Sequence, residues 1–411
     1  MTSPYDLLII GAGPAGLFTA IHAAKSGHRV CILEKNESAG VKLLLTGAGK
    51  CNLTHSGARE EFLVHYGDKV KGRFVKPALY GFTNNDLCRF LNDRGLGTVT
   101  TDDGKIFPAS LNGNDVVRAL EGECGKGDVE IRYRETVTSV ERTSAGFNVS
   151  TPVGILESRS VVIATGGKSY PKTGSTGDGY IFAKRFGHSI VEPAPALSPI
   201  AVRDYPFVAC SGISIRNAKI TIQRNGEKNT STTGDVLFTH HGLSGPGILD
   251  MSRYVEPGDI VAVSLFPSDQ YDGFEGRLAR DLAANAGTSL KKCLAQYGIP
   301  ERLLITALGI AGIPVNVPCS TIDRKTRSLL ISRLMNQTFT IEQVNGFDQA
   351  MATRGGVTLA EIHPSSMESR LVPGLFFAGE VLDVDGDTGG YNLQFAFSSG
   401  FVAGNNISNG R

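Results

Sequence analysis

A surplus of charge of either sign is missing from this chain: 41 Lys and Arg stand against 40 Asp and Glu over 411 residues, a formal net charge of +1. A non-specific nucleic-acid binder needs excess cations to displace counterions from phosphates, so the balance excludes that class, though not a local basic patch, and no nucleic-acid partner is expected. Closely spaced cysteines are missing too. Cys31, Cys51, Cys88, Cys124, Cys210, Cys293 and Cys319 lie far apart and are odd in number. That excludes a zinc knuckle or a redox dithiol and points to free thiols in a reducing compartment, with no metal expected. The first residues, MTSPYDLLII, show neither a basic n-region nor a small-residue cleavage site, so a cytoplasmic protein is expected. Leu7–Ala24 has no Asp, Glu, Lys or Arg, but Gly11, Gly13, Pro14 and Gly16 interrupt it, which excludes a membrane span. There is no internal repeat and no low-complexity linker. An apolar fraction of 41% and a charged fraction of 20% leave an ordinary globular chain, long enough for two or three domains.

Glycine is what the chain has in excess: 50 of 411 residues, about 12% against a usual value of roughly 7%. Without a period, such an excess marks places where backbone comes close to something else. The first fifty residues show one. Asp6–Ile10 is an apolar run suited to a buried parallel strand, and Gly11-Ala-Gly-Pro-Ala-Gly16 follows at once. Leu17, Ala20, Ile21 and Ala24 then repeat at helical spacing, Gly27 ends the helix, and Arg29–Leu33 is the next strand with Glu34 at its end. Strand, glycine turn, helix, strand and acid make a dinucleotide-binding unit. Gly11 makes the tight turn, Gly13 lets backbone approach a pyrophosphate, and Gly16 lets helix and strand pack. Pro14 and Ala15 open the helix whose N–H groups face the anion. Glu34 can accept hydrogen bonds from ribose hydroxyls.

The rest of the chain does not continue as a simple nicotinamide dehydrogenase. Glu130–Arg134, Thr136–Arg142 and Gly146–Ser150 alternate polar and apolar residues, which predicts an antiparallel meander, followed by an apolar strand Ser160–Ala164 running into Thr165-Gly166-Gly167. Near the end, Gly374-Leu-Phe-Phe-Ala-Gly-Glu380 is another strand reaching glycine. Asp383, Asp385, Gly386, Gly389, Gly390 and Tyr391-Asn-Leu-Gln394 follow. Leu393, Ala396, Phe397, Gly400, Phe401 and Gly404 then keep helical spacing. A second glycine loop thus opens a second helix that faces another part of a ligand.

These residues resemble conserved elements of FAD enzymes of the glutathione-reductase-like class. More narrowly, GVKLLLTGAGKCNLT at Gly40–Thr54, LFTHHGLSGP at Leu237–Pro246, TRGGV at Thr353–Val357 and GEVLDVD at Gly379–Asp385 resemble the aminoacetone oxidase-like group of bacterial flavoproteins, also described as BaiN-like or YhiN-like. Two departures are visible: Lys50 stands where Arg is usual, which keeps the charge but loses a planar fork, and Thr46 stands for Ser. The resemblance implies an α/β fold: a discontinuous Rossmann-like FAD-binding domain with an inserted β-rich domain carrying a helical subdomain. Expected boundaries are 1–190 and 345–411 for the FAD-binding segments and 191–344 for the insert, after an exit at Pro193-Ala-Pro195. In the insert, Ala218–Gln223 and Asp235–Thr239 read as hairpin strands around an Asn225-Gly226 turn, joined by Ile260–Leu265. Helical patterns fill about 270–312, and Asp323 caps a further helix.

Expected cofactor contacts are therefore Gly11, Gly13, Pro14, Ala15, Gly16, Glu34, Lys35, Lys42, Lys50, Cys51, Asn52, Val137, Thr165, Gly166, Gly379, Glu380, Gly390, Asn392 and Leu393. Lys50 and Arg354 are cations that could stabilise reduced flavin, and Tyr391 could touch the ring or a substrate; these three are the candidate catalytic residues. Cys51 reads as a small buried thiol, because no partner cysteine follows it. His240 and His241 read as structural histidines in a strand. Asp383, Asp385 and Asp387 read as a turn beside the cofactor, since a calcium loop would need a later Glu that is absent. No second strand–glycine–helix unit exists for a nicotinamide, so NAD(P)H or O2 would meet the flavin directly. The expected function is FAD-dependent oxidation or reduction of a small organic substrate, and the resemblance implies either an amine oxidase with O2 as acceptor or an NAD(P)H-dependent reductase of an unsaturated compound. An RNA-modifying flavoprotein and a non-catalytic flavin-binding protein stand as alternatives.

Overall fold

A computed structural model describes residues 4–407, so Met1–Ser3 of the N-terminal segment lie outside the described residues. The chain forms two compact units, residues 1–194 with 351–411, and residues 195–350.

In the first unit the opening strand, Tyr5–Ile10, is buried because both its faces are apolar: Leu7, Leu8 and Ile9 are wholly inaccessible. It pairs in parallel with Val30–Leu33 on one side and with the end of a long strand, Gly154–Ile163, on the other. That long strand has three partners within one seven-stranded sheet. Its first half pairs antiparallel with Gly146–Thr151, which in turn pairs with Ser139–Thr143. Its last residues also pair in parallel with Leu375–Phe377. One expectation is corrected here. Glu130–Arg132 is not part of the antiparallel meander; it is a parallel edge strand beside Val30–Leu33. It arrives after the helix Gly113–Lys126, and a strand reached through a helical crossover pairs in parallel.

The first helix, Pro14–Lys25, starts at Pro14 behind Gly13, and Gly27 leaves it at φ +84°. It crosses the last helix, Tyr391–Asn405. At Gly400 a Cβ would stand 2.5 Å from the Ala15 carbonyl oxygen, and at Gly404 2.5 Å from that of Thr19. One glycine per turn on one helix thus lies against one carbonyl per turn on the other. The resulting axis-to-axis approach fixes where both helix N-termini come out.

The second unit is a closed six-stranded barrel, in the order Ile200–Val202, Gly242–Ser244, Glu227–Phe238, Ser214–Arg224, Ile260–Pro267 and Gln337–Val344. The hairpin turns at Asn225-Gly226, both at positive φ, as a two-residue turn requires. Helices Phe274–Ala284, Leu290–Leu294, Glu301–Ile310 and Arg324–Met335 fill the connection between the last two barrel strands. The Asp323 side chain accepts a 2.6 Å hydrogen bond from Thr326 N at the start of the fourth. His240 and His241 do not sit in a strand: both are exposed in the turn between Phe238 and Gly242.

Candidate functional site

The glycine turn is built by exclusion. Gly11 has φ +104°, and a Cβ there would be 2.6 Å from the Ala164 carbonyl oxygen on the neighbouring strand. A Cβ on Gly16 would overlap the Gly11 carbonyl oxygen and press on Ile9. Gly13 is different: its φ is −77° and a Cβ there would meet no atom within 4 Å. The space it would occupy belongs to a cleft that Gly11, Gly13, Pro14 and Ala15 line along one side. No side chain caps the first helix and no acid lies in its first turn, so its positive end meets the cleft uncompensated.

Glu34 lines the same cleft from the end of the second strand. Burial leaves it 7% exposed, and its oxygens accept from Ala12 N at 2.7 Å and Asn36 N at 2.8 Å. The acid therefore braces the glycine turn and keeps its remaining lone pairs for a ligand. Next to it Lys35 donates to Thr176 Oγ1 and pairs with Asp178, both at 2.6 Å. Thr165 and Gly166 line the cleft beyond the long strand, and Val137 lines it from the loop before Ser139.

Farther along stand Lys42 and Glu380, an ion pair at 2.6 Å with each side chain 21% exposed. Glu380 also accepts a 2.7 Å bond from Thr353 N. Gly379, Asn392 and Leu393 complete this part of the wall. The C-terminal helix, like the first, begins at a glycine with no side-chain cap and no acid in its first turn. Asn392 holds the preceding loop, its Oδ1 accepting from Gly386 N at 2.8 Å and its Nδ2 donating to Gly386 O at 2.9 Å.

Seven of the expected residues lie off this wall. Gly16 is inside the helix–strand contact. Lys50 is exposed at the end of a backbone kink in which Gly47, Ala48 and Gly49 all have positive φ, and this turns its side chain outward. Cys51, also at positive φ, is turned inward and wholly buried, and burial pushes its thiol pKa up to about 12. Asn52 accepts from Gly390 N at 3.1 Å and donates to Thr54 O at 3.0 Å, with its amide oriented to satisfy both; it ties the Gly40–Thr54 segment to Gly390. Arg354 is half-buried away from the cleft. Tyr391 is buried between two imidazoles, stacked on His65 at 4.1 Å and on His55 at 5.3 Å. His65 Nδ1 meets Asp387 Oδ2 at 2.9 Å. Asp383 and Asp385 pair with Lys71 at 2.9 and 2.7 Å. Burial pulls the Lys71 pKa down, but the two carboxylates outweigh it and the net direction is up. The three aspartates thus each engage a cation or imidazole.

Other lining residues carry no mark in the sequence analysis. Thr173, Gly174, Ser175 and Asp178 line the cleft beside Lys35, and Met351 and Ala352 line it as well. A signal for the first was available: Gly174 and Gly177 lie three apart, and both adopt positive φ, as a loop wrapped closely round a ligand would need.

Glycine turn, bracing acid, open cradle at Gly13 and a second uncapped helix define a Rossmann-type dinucleotide-binding protein. The family described as HI0933-like protein Rossmann domain matches residues 5–406, and the chain belongs to that family. Its relatives include the "ribosomal RNA dihydrouridine synthase" of Escherichia coli K12, 32% identical over 98% of this chain and 98% of that protein. Another is the "3-dehydro-bile acid delta(4,6)-reductase" of Clostridium scindens, 32% identical over 96% of this chain and 97% of that one. Among solved structures, FrdA of E. coli quinol fumarate reductase matches with a TM-score of 0.52 at 15% identity, covering 100% of this chain and 72% of that one. A 3-ketosteroid-Δ4-(5α)-dehydrogenase from Rhodococcus jostii matches with a TM-score of 0.51 at 14% identity, over 98% and 97%. At such identities these two show the fold alone. Membership of this family makes the protein an FAD-dependent oxidoreductase, as the motif resemblance implies. Among the described residues no helix is long and apolar enough to cross a membrane, and all seven cysteines are free.

Proposed function

We propose that this protein is an FAD-dependent reductase that adds hydrogen to an unsaturated small organic substrate, with the cofactor lying along the cleft from Glu34 to Leu393. The observation that carries the reading is similarity over nearly the whole chain to an enzyme named a 3-dehydro-bile acid delta(4,6)-reductase. Bound FAD supplies hydride and electron transfer; the protein's part is to bind, orient and tune it. Gly11, Gly13, Pro14 and Ala15 offer backbone and a helix N-terminus to the pyrophosphate, with Gly16 holding that turn in shape. Glu34 takes ribose hydroxyls, and Lys35, Val137, Thr165 and Gly166 wall the same half. Lys42, Gly379, Glu380, Asn392 and Leu393 wall the other half. Tyr391, stacked on His55 and His65, sets the start of the last helix, which Asn52 ties to the Gly40–Thr54 segment through Gly390 N. A reduced nicotinamide binding transiently at the cleft would supply the electrons. The unpaired thiols fit a reducing, cytoplasmic setting.

A second reading, an RNA substrate, rests on the name shared by the E. coli relative and one from Haemophilus influenzae, 33% identical over 99% of this chain; the net charge of +1 weighs against it. One experiment separates them. Anaerobically reduced protein is mixed with a conjugated ketone such as a 4-en-3-one steroid, with uridine-containing RNA, or with air. Reoxidation by the ketone supports the first reading. Reoxidation by RNA that is lost as salt is raised supports the second. Reoxidation by air alone, releasing peroxide, would leave an oxidase and overturn both.

A further inference from the structure

We propose that Lys42, paired with Glu380, is the cation that tunes the flavin's electron affinity, in place of Lys50 and Arg354. The inference rests on the cleft being the FAD site. Among the described residues only two cations, Lys35 and Lys42, line the cleft. Lys35 follows Glu34 directly and pairs with Asp178, so it belongs to the ribose half. Lys42 lies seven positions on from Lys35, where Gly379, Asn392 and Leu393 of the C-terminal segment form the wall, in the half left for the ring. Its ammonium is held in place: Glu380 Oε2 takes one of its three donors at 2.6 Å, and Glu380 is itself held through Oε1 by Thr353 N at 2.7 Å. The carboxylate's charge is thus shared between two donors, while the ammonium keeps two N–H groups for an acceptor in the cleft. With about four-fifths of each side chain removed from solvent, the pair acts in a medium less screening than water, so a hydrogen bond to a ring edge strengthens as that edge gains negative charge on reduction. Lys50 is exposed and off the wall, and Arg354 is off it as well.

The test measures the midpoint potential of bound FAD and the dissociation constant of sulfite, a nucleophile that adds to oxidised flavin and is held more tightly when a cation stabilises the resulting negative charge. Lys42→Met should weaken sulfite binding at least tenfold and lower the potential by about 30 mV, the shift that corresponds to tenfold for two electrons. Glu380→Gln, which leaves the ammonium uncompensated, should move both the opposite way. Lys42→Arg should stay within threefold of the unaltered protein, as should Lys50→Met and Arg354→Met. An unchanged Lys42→Met, or an equal effect in Lys50→Met, overturns the proposal. If Lys42→Met does not retain FAD, Glu380→Gln decides: a raised potential supports the proposal, and an unchanged or lowered one overturns it. Unaltered protein that takes up no FAD would instead overturn the site itself.

Discussion

Gly13 and Gly16 stand three positions apart in one motif and are glycine for different reasons. Gly13 borders open cleft, whereas Gly16 has the Gly11 carbonyl where a side chain would begin. The two are separable by substitution. Gly13→Ala should cost under about 1 kcal/mol of stability, the usual loss of a weak helix cap, while reducing FAD affinity tenfold or more because the methyl fills the pyrophosphate cradle. Gly16→Ala should cost about 3 kcal/mol, as overpacking in a core does, and lose FAD as a consequence of misfolding. Chemical denaturation with and without FAD checks both; equal stability losses in the two variants would contradict the assignment. At this scale the glycine turn and Glu34 were legible because each constraint spans a few residues. Lys50 and Cys51 were legible as a motif, but not in direction. The three consecutive left-handed residues Gly47, Ala48 and Gly49 swing one side chain out and the next in, and a non-glycine residue such as Ala48 at positive φ is not readable from composition.

Two elements do most to place the site: the first helix and the last. Gly400 and Gly404 bring them together, and His22 lies in the same seam, ringed by Phe18, Phe82, Phe90 and Phe401. Burial, then Lys25 and Arg94, push its pKa down to about 4 from 6.5. The folded state therefore binds a proton less readily than the unfolded chain. The stability gained from keeping His22 neutral is complete above pH 6.5 and is lost as pH falls from 6.5 through 4. That shift corresponds to about 3 kcal/mol. His22→Leu should remove this part of the acid sensitivity, seen as a flatter stability profile between pH 6.5 and 4; a profile parallel to that of the unaltered protein would contradict it. The helices themselves were legible from apolar spacing. Strand partners were less so: Glu130–Arg132 has the alternation of any half-buried strand, and only the preceding helix, Gly113–Lys126, decides that it runs parallel to Val30–Leu33. The strand Gln337–Val344 alternates polar and apolar residues as a half-buried strand does, but its place closing the barrel against Ile200–Val202 and Ile260–Pro267 was not legible. Its pairing spans more than 130 residues of chain in one direction, and no local pattern encodes that.

On the scale of the whole molecule, one unit built from two distant segments contains the entire cleft, while a barrel with a helical excursion occupies the chain between them. Among the described residues this arrangement carries one dinucleotide-binding turn and no second one. With FAD in that turn, the proposed reductase would take its electrons from a nicotinamide in a brief encounter at the flavin. The measurement that tests this most directly is an anaerobic titration of FAD-loaded protein with NADH and then NADPH, followed at the oxidised-flavin absorbance near 450 nm, a property of the cofactor. The expected result is a bound-flavin band that one of the two nucleotides bleaches rapidly, with saturation in nucleotide too weak to measure as tight binding. No band after FAD is supplied would contradict the cofactor site, and a band that neither nucleotide bleaches would contradict the reductase.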